Sequence, residues 1–201
     1  MEADFIMALP SATKKRLVQL EAVLKSWESE KITSKKISGL TGWSESTIRH
    51  DLWLIGKTHG ISDGYSTSSL LAALENCLGN DTVGVCIVGL GRLGAALLDD
   101  TLFEGSRFVI KAGFDSNVNR VEILRSTFPL YPAGEMALVV KREKIRLAVL
   151  TVADKDAQTM AQRLVTSGIT GIVNMTRAVL KVPDNVRVEN LSVIGALSLL
   201  D

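Results

Sequence analysis

Cys77 and Cys86 are the only cysteines in the 201-residue chain; they form no CxxC pattern and stand beside no histidine cluster. A disulfide framework and a thiolate metal site are thereby set aside, no metal is expected, and both thiols read as small buried hydrophobes. Long apolar runs are missing too. Residues 83–90 and 147–153 are the most continuous ones, well short of the roughly 20 residues that span a bilayer. Residues 1–4 are acidic and offer no basic n-region of a secretory signal, so the expectation is a soluble, cytoplasmic protein with no membrane partner. A surplus of one charge is the third absence. Residues 1–80 carry nine Lys/Arg and nine Asp/Glu, and the remaining 121 carry fourteen and thirteen. No acidic or basic tail exists, and any affinity for nucleic acid must come from local placement of cations.

What is present is 46% hydrophobic residues, ample for packed cores, in a length that suits two small domains. The pattern changes at residue 81. Before it, residues 11–29 repeat Leu17, Leu20, Val23, Leu24 and Trp27 at helical spacing. A shorter helix is predicted over 33–40, and Ser44 can cap a third that turns Ile48, Leu52 and Ile55 inward and stops at Gly56. Helix, helix, tight turn, helix is the helix-turn-helix pattern. Residues 57–65 are polar and turn-rich, as a β-hairpin wing would be, and a fourth helix is predicted over 68–78. After the Gly79-Asn80-Asp81 linker, strands are predicted over 83–88, 108–114, 146–152, 169–174 and 186–188, with helices over 95–103 and 154–167 between them. Alternating strands and crossovers imply a parallel, doubly wound sheet, so the fold class is α/β, an N-terminal winged-helix domain followed by a Rossmann domain. The domains are assigned as 1–80, 81–190 and a C-terminal helix within 191–201.

The turn Gly89-Leu90-Gly91-Arg92-Leu93-Gly94 directly follows a buried-type strand, opens a helix, and precedes by 21 residues an acid, Asp115, at a strand end. A lone GxGxxG is weak evidence; in this setting each part has a job. Gly89 permits the tight turn, Gly91 lets backbone amides approach a pyrophosphate, and Gly94 allows close helix–strand packing. The helix start adds unpaired N–H groups and partial positive charge. Asp115 would accept hydrogen bonds from the adenine-ribose hydroxyls and repel a 2′-phosphate, which favours NAD(H) over NADP(H). Val152 and Asn174, at later strand ends, complete the candidate cofactor set. A catalytic set is not apparent. His50 and His59, the only histidines, lie in the N-terminal region, and Tyr131 has no catalytic pattern around it, so binding rather than turnover is expected.

On the third helix, Ser46, Thr47, Arg49, His50 and Trp53 lie off the inward stripe, where a recognition helix meets base edges. Arg49 could pair with guanine, Ser44, Ser46, Thr47 and His50 could reach bases or phosphates, and Lys35, Lys36 and Lys57 are candidate phosphate contacts.

Taken together, the helix-turn-helix, wing, glycine turn and acid resemble, in order and over nearly the whole chain, the Rex redox-sensing transcriptional repressors. The matches are Ala12-Thr13, Arg16-Leu17, Arg49-x-Asp51-Leu52, Gly64-Tyr65, Gly89-x-Gly91-x-Leu93-Gly94, Phe114-Asp115, Ala157-Gln158, Gly168-Ile169-x-Gly171-Ile172-x-Asn174 and Val182-Pro183. The resemblance implies a non-enzymatic homodimer on double-stranded operator DNA that NADH releases and NAD⁺ permits, with residues 191–200 as a helix swapped between protomers. Arg16 and Tyr65 would take part in coupling. Departures accompany it: the basic pair expected in the wing is Gly60-Ile61, the Asn of the glycine turn is Arg92, the Asn-Phe-Ala-Pro segment is Asn174-Met175-Thr176-Arg177, and the acid expected near the last helix is Ser192. A relative that binds DNA without a redox response, and an NAD-dependent oxidoreductase with a helical cap, are the alternatives.

Overall fold

The computed structural model describes residues 9–57 and 64–201, and the chain forms two compact units, Met1–Asn80 and Asp81–Asp201. In the first, helix α1 (Ser11–Lys25) stops four residues before the predicted end. Ser26 turns its hydroxyl onto the Val23 carbonyl, and Trp27 donates its indole N–H to the Lys31 carbonyl instead of continuing the helix. Helix α2 (Ser34–Thr41) is capped by Thr33 and helix α3 (Glu45–Leu54) by Ser44, whose Oγ accepts the Thr47 amide at 3.1 Å. Helix α4 (Thr67–Leu78) is capped by Ser66. Leu17, Leu20 and Leu24 of α1 meet Ile37, Ile48, Leu52, Leu70 and Leu74 in one core, each fully buried aliphatic side chain stabilising it by about 1.5–3 kcal/mol.

Strands β1 (Lys31–Ile32) and β2 (Tyr65–Ser66) pair antiparallel, Ile32 opposite Tyr65. The strand that closes the predicted wing therefore pairs with a segment upstream of α2 rather than with residues just before the turn. The turn itself, 58–63, including His59 and the Gly60-Ile61 departure, lies outside the described residues.

The second unit is a six-stranded sheet formed by β3 (Val83–Val88), β4 (Phe108–Asp115), β5 (Leu130–Pro132), β6 (Leu147–Leu150), β7 (Gly171–Asn174) and β8 (Arg187–Asn190). Their spatial order is β5-β4-β3-β6-β7-β8 and every pairing is parallel. The strand order reverses between β3 and β6, and open α/β sheets place ligands at such a point, outside the carboxyl ends of the strands. Cys86, Val88, Ala112, Phe114, Ala148 and Leu150 line one core face. Helix α8 (Asp154–Ser167) packs there through Leu164 and through Ala157 and Ala161, whose small side chains let it lie close to the sheet.

The continuous helix expected over 95–103 is instead a short α5 (Arg92–Ala96), a turn, and a 3₁₀ segment over Asp100–Phe103. Asp99 is the cause: its carboxylate accepts both the Thr101 amide (3.2 Å) and the Thr101 hydroxyl (2.7 Å), a local bond that competes with helical geometry. Helices α6 (Val118–Ile123) and α7 (Met136–Arg142) complete the crossovers. The last helix, α9 (Val193–Ser198), is shorter than the 191–200 expected.

Candidate functional site

At the strand-order reversal a cleft of about 480 Å³ opens, with Gly89, Gly91, Asp115, Arg120, Thr151 and Val152 among its walls. The three glycines are there for different reasons. Gly89 has φ of 94°, and a Cβ on it would meet Val152 and Thr151 within 3 Å. A Cβ on Gly94 would land on the Gly89 carbonyl oxygen. Around Gly91, by contrast, nothing lies within 4 Å of where a Cβ would be. The turn is packed tight behind and open in front, which is what a backbone approached by a diphosphate needs. The site therefore fits a dinucleotide, although the helix start behind it supplies only the five-residue α5.

Asp115 is 4% exposed. Its Oδ2 accepts the Leu90 amide at 2.6 Å and Nη1 of Arg120 at 3.3 Å, and its Oδ1 accepts the Asn117 amide at 2.7 Å. The acid thus ties the glycine turn to the end of β4 while facing the cleft. Thr151, on the other lip, directs its hydroxyl onto the Val88 and Gly89 carbonyls at 3.1 and 2.6 Å. Of the predicted cofactor residues, Gly89, Gly91, Asp115 and Val152 line the cleft. Leu90 is buried and contributes its backbone N–H to Asp115, and Gly94 packs behind the turn. Arg92 and Leu93 are exposed on α5.

Asn174 is fully buried and is not among the residues that line the cleft. Its Nδ2 donates to the Ala178 carbonyl and to Asn190, and its Oδ1 accepts from the Thr176 amide and hydroxyl. It shapes the 174–178 loop, which Arg177 then ties to Asp154: the Arg177 amide and Nε reach the two carboxylate oxygens at 2.9 and 2.8 Å. Those bonds, the backbone one foremost, hold the Asp154 carboxyl below the usual range. Sequence pattern does not single out Arg120, Thr151 or Arg177 as site residues. Their roles depend on which strand ends become neighbours, although a cation five residues after Asp115 is a signal that could have found the first.

On the first unit, the predicted nucleic-acid residues are distributed over α2, α3 and the residues that flank α3. Ser46 and Thr47 hydroxyls lie 2.9 and 2.8 Å from Ser44 Oγ. Arg49 pairs with Glu45 at 3.1 Å across one helical turn. His50 is exposed and its ring centroid lies 6.2 Å from that of the exposed Trp53. Lys36 sits over the Trp27 ring at 5.3 Å, Lys57 donates to Ser69 Oγ at 2.9 Å, and Lys35 is exposed.

Arg16, assigned to coupling, is engaged inside its own unit. Its Nε and Nη2 meet the two oxygens of Asp51 at 2.6 and 2.9 Å, and Thr13 donates to the same carboxylate at 3.0 Å. The bond with Asp51 raises the Arg16 pKa, and Asp51 is 3% exposed. The inward stripe of α3 thus contains a carboxylate between Ile48 and Leu52, which hydrophobic spacing could not reveal. Tyr65 is buried in the same core. Ser192, in place of the expected acid, caps α9 by accepting the Gly195 amide at 3.0 Å. Burial pushes the Cys86 thiol up to about 12, so it stays protonated. Among the described residues, no group of three or more His, Cys, Asp or Glu could hold a metal ion, and no helix is long and apolar enough to cross a membrane.

Comparison with known proteins agrees with this layout. A family model described as a CoA binding domain matches residues 80–178. The redox-sensing transcriptional repressor Rex of Limosilactobacillus reuteri (strain DSM 20016) is 34% identical over 196 residues, covering 96% of this chain and 92% of its own. That of Leuconostoc citreum (strain KM20) is 32% identical, covering 96% and 91%. Among solved structures, RSP in complex with β-NAD⁺ and operator DNA superimposes with a TM-score of 0.88 at 30% identity, covering 96% of this chain and 90% of that one. RSP with β-NADH gives 0.84 over 96% and 92%. With identity at this level sustained from the helical unit through the sheet, the chain belongs to the Rex family of redox-sensing transcriptional repressors.

Proposed function

We propose that this protein is a transcriptional repressor, not an enzyme, that binds double-stranded operator DNA as a homodimer and responds to the NADH/NAD⁺ ratio. The observation that carries it is the cleft at the β3/β6 reversal, tight behind Gly89 and Gly94 and open at Gly91, in a chain that also presents a capped helix-turn-helix. Gly91 and its neighbours in the turn would hold the pyrophosphate through backbone N–H groups, and Asp115 the adenine ribose. The bound group supplies a nicotinamide ring whose charge differs between its two redox forms. Arg49, with Ser46 and Thr47, would read base edges, while Lys35, Lys36 and Lys57 would neutralise phosphates. The exposed apolar side chains Val193, Ile194, Leu197, Leu199 and Leu200 are placed at the contact between protomers, where burial would remove them from water. A two-fold dimer implies a pseudo-palindromic operator.

The test is titration of the full chain onto a duplex from its own promoter, followed by fluorescence anisotropy with saturating NADH or NAD⁺. NADH is expected to weaken binding by about tenfold or more, a typical coupling. Equal affinity in the two states overturns the sensor reading, because a ligand shifts an equilibrium only through differential affinity.

One pair of observations favours a second reading, a DNA binder without redox response. Arg16 is already bidentate to Asp51, and the position expected to carry an acid holds a helix-capping serine. Undiminished NADH binding together with unchanged DNA affinity would select it.

A further inference from the structure

Resting on the operator-binding reading of α3, we infer that Trp53 is a base-reading residue whose indole packs on the 5-methyl groups of thymine in the operator half-site. The chain has three tryptophans, all in the first unit, and the fold accounts for two of them. Trp27 donates its N–H to the Lys31 carbonyl and lies under the Lys36 ammonium, and Trp43 is half-buried against the helical core. Trp53 is 60% exposed, an aromatic surface that a folded chain ordinarily buries. Its ring meets that of His50, itself exposed, at 6.2 Å between centroids.

The helix fixes what surrounds this indole. Ser46, Arg49, His50 and Trp53 recur at the spacing that places residues on one face of α3. All four are exposed, whereas Ile48, Asp51 and Leu52 are buried behind them. The face thus carries a hydroxyl, a guanidinium and an imidazole, and then one broad apolar surface. A single indole falls far short of the roughly 800 Å² that each partner contributes to a stable protein interface. The major groove offers a target of matching size, because thymine alone among the four bases presents a methyl group there. Arg49 and Trp53 are four residues apart, about 6 Å along a helix that rises about 1.5 Å per residue. Successive bases lie about 3.4 Å apart, so for a helix lying along the groove the thymine under Trp53 falls within about two base steps of a guanine met by Arg49. The two side chains divide the reading between them, Arg49 by hydrogen bonds and Trp53 by apolar contact.

The test is fluorescence anisotropy of the full chain with saturating NAD⁺, for wild type, Trp53→Ala and Trp53→Gln, on two duplexes. One comes from its own promoter, and the other is the same duplex with deoxyuridine in place of every thymidine. The exchange removes the 5-methyl groups and leaves base pairing intact. Wild type is expected to bind the deoxyuridine duplex about fourfold more weakly for each methyl contacted, the equivalent of one buried methyl, and both variants to bind the two duplexes within about twofold of each other. A wild type indifferent to the exchange, or variants that keep its penalty, overturns the inference while leaving operator binding intact; an indole used only on the sugar-phosphate backbone or on a protein partner would give that result. Failure of wild type to bind the thymidine duplex overturns the operator reading and this inference with it.

Discussion

Three aspartate–arginine pairs of this protein differ chiefly in how much water they see. In the helical unit, Asp51 and Arg16 are closed in, with side chains 4% and 25% exposed. In the sheet unit, Asp115 is as buried at 3%, but its partner Arg120 is 51% exposed. The Asp154–Arg177 pair is open, at 41% and 78%. Bond lengths alone would rank the open pair level with the closed one, at 2.8 against 2.6 Å. Environment gives the better ranking, since the same Coulomb contact strengthens as solvent screening falls and desolvation makes the loss of one partner expensive. The closed pair pins α1 to α3, the half-open pair leaves a cation at a cleft, and the open pair trims a loop.

Removing one charged partner at a time sharpens this ranking. Asp51→Ala should destabilise the protein by about 3 kcal/mol, the low end for a broken buried pair because Arg16 keeps some access to water. Urea denaturation of the full chain measures it, and a loss below about 1 kcal/mol would mean that the clasp is not structural. Asp115→Ala should instead act on the ligand, weakening NADH binding by on the order of 1–3 kcal/mol by calorimetry, with a smaller loss of stability than Asp51→Ala because the cleft admits water to the vacated amides. Arg49→Ala removes an exposed partner of Glu45, so stability should change by less than about 0.5 kcal/mol. Discrimination between operator and a variant half-site should nevertheless fall by about 1–3 kcal/mol in anisotropy competition. The smallest effect is reserved for Asp154. Its folded carboxyl titrates below the ordinary value, so the pair's contribution is complete above that ordinary value, about 3.9, and disappears as pH falls through the lower folded one. The difference in thermal midpoint between wild type and Arg177→Ala should therefore be flat from neutrality to about pH 5 and close at more acidic pH.

Features that depend on short spacing were legible in the sequence. Ser44 is a cap because the next turn of chain offers it the Thr47 amide, and α3 begins where the cap predicts. The strand at 83–88, the glycine turn and the acid at 115 form one contiguous grammar and appear in place. Elements whose identity depends on distant neighbours were not legible. Leu130–Pro132 is three residues long and becomes a strand only because β4 offers it an edge. Asp51 reads in the sequence as one polar residue among several, and only the approach of α1 makes it the centre of a buried network. The break in the helix after Gly94 is local chemistry that hydrophobic spacing passes over, since an aspartate two residues before a threonine is a known competitor of helical bonding. Of the cleft, the β3 and β4 lip was foreseeable; the Thr151 side depended on knowing that β6 lies against β3.

The Thr151 hydroxyl, shared between the carbonyls of Val88 and Gly89, has a mechanical consequence. It staples the floor of the crevice across two strands at the point where a Cβ on Gly89 would already collide. The floor is thereby bonded across β3 and β6, whereas the rim at 116–120 is exposed to water, so a bound group that repositions any wall of the crevice meets less resistance at that rim than at its base.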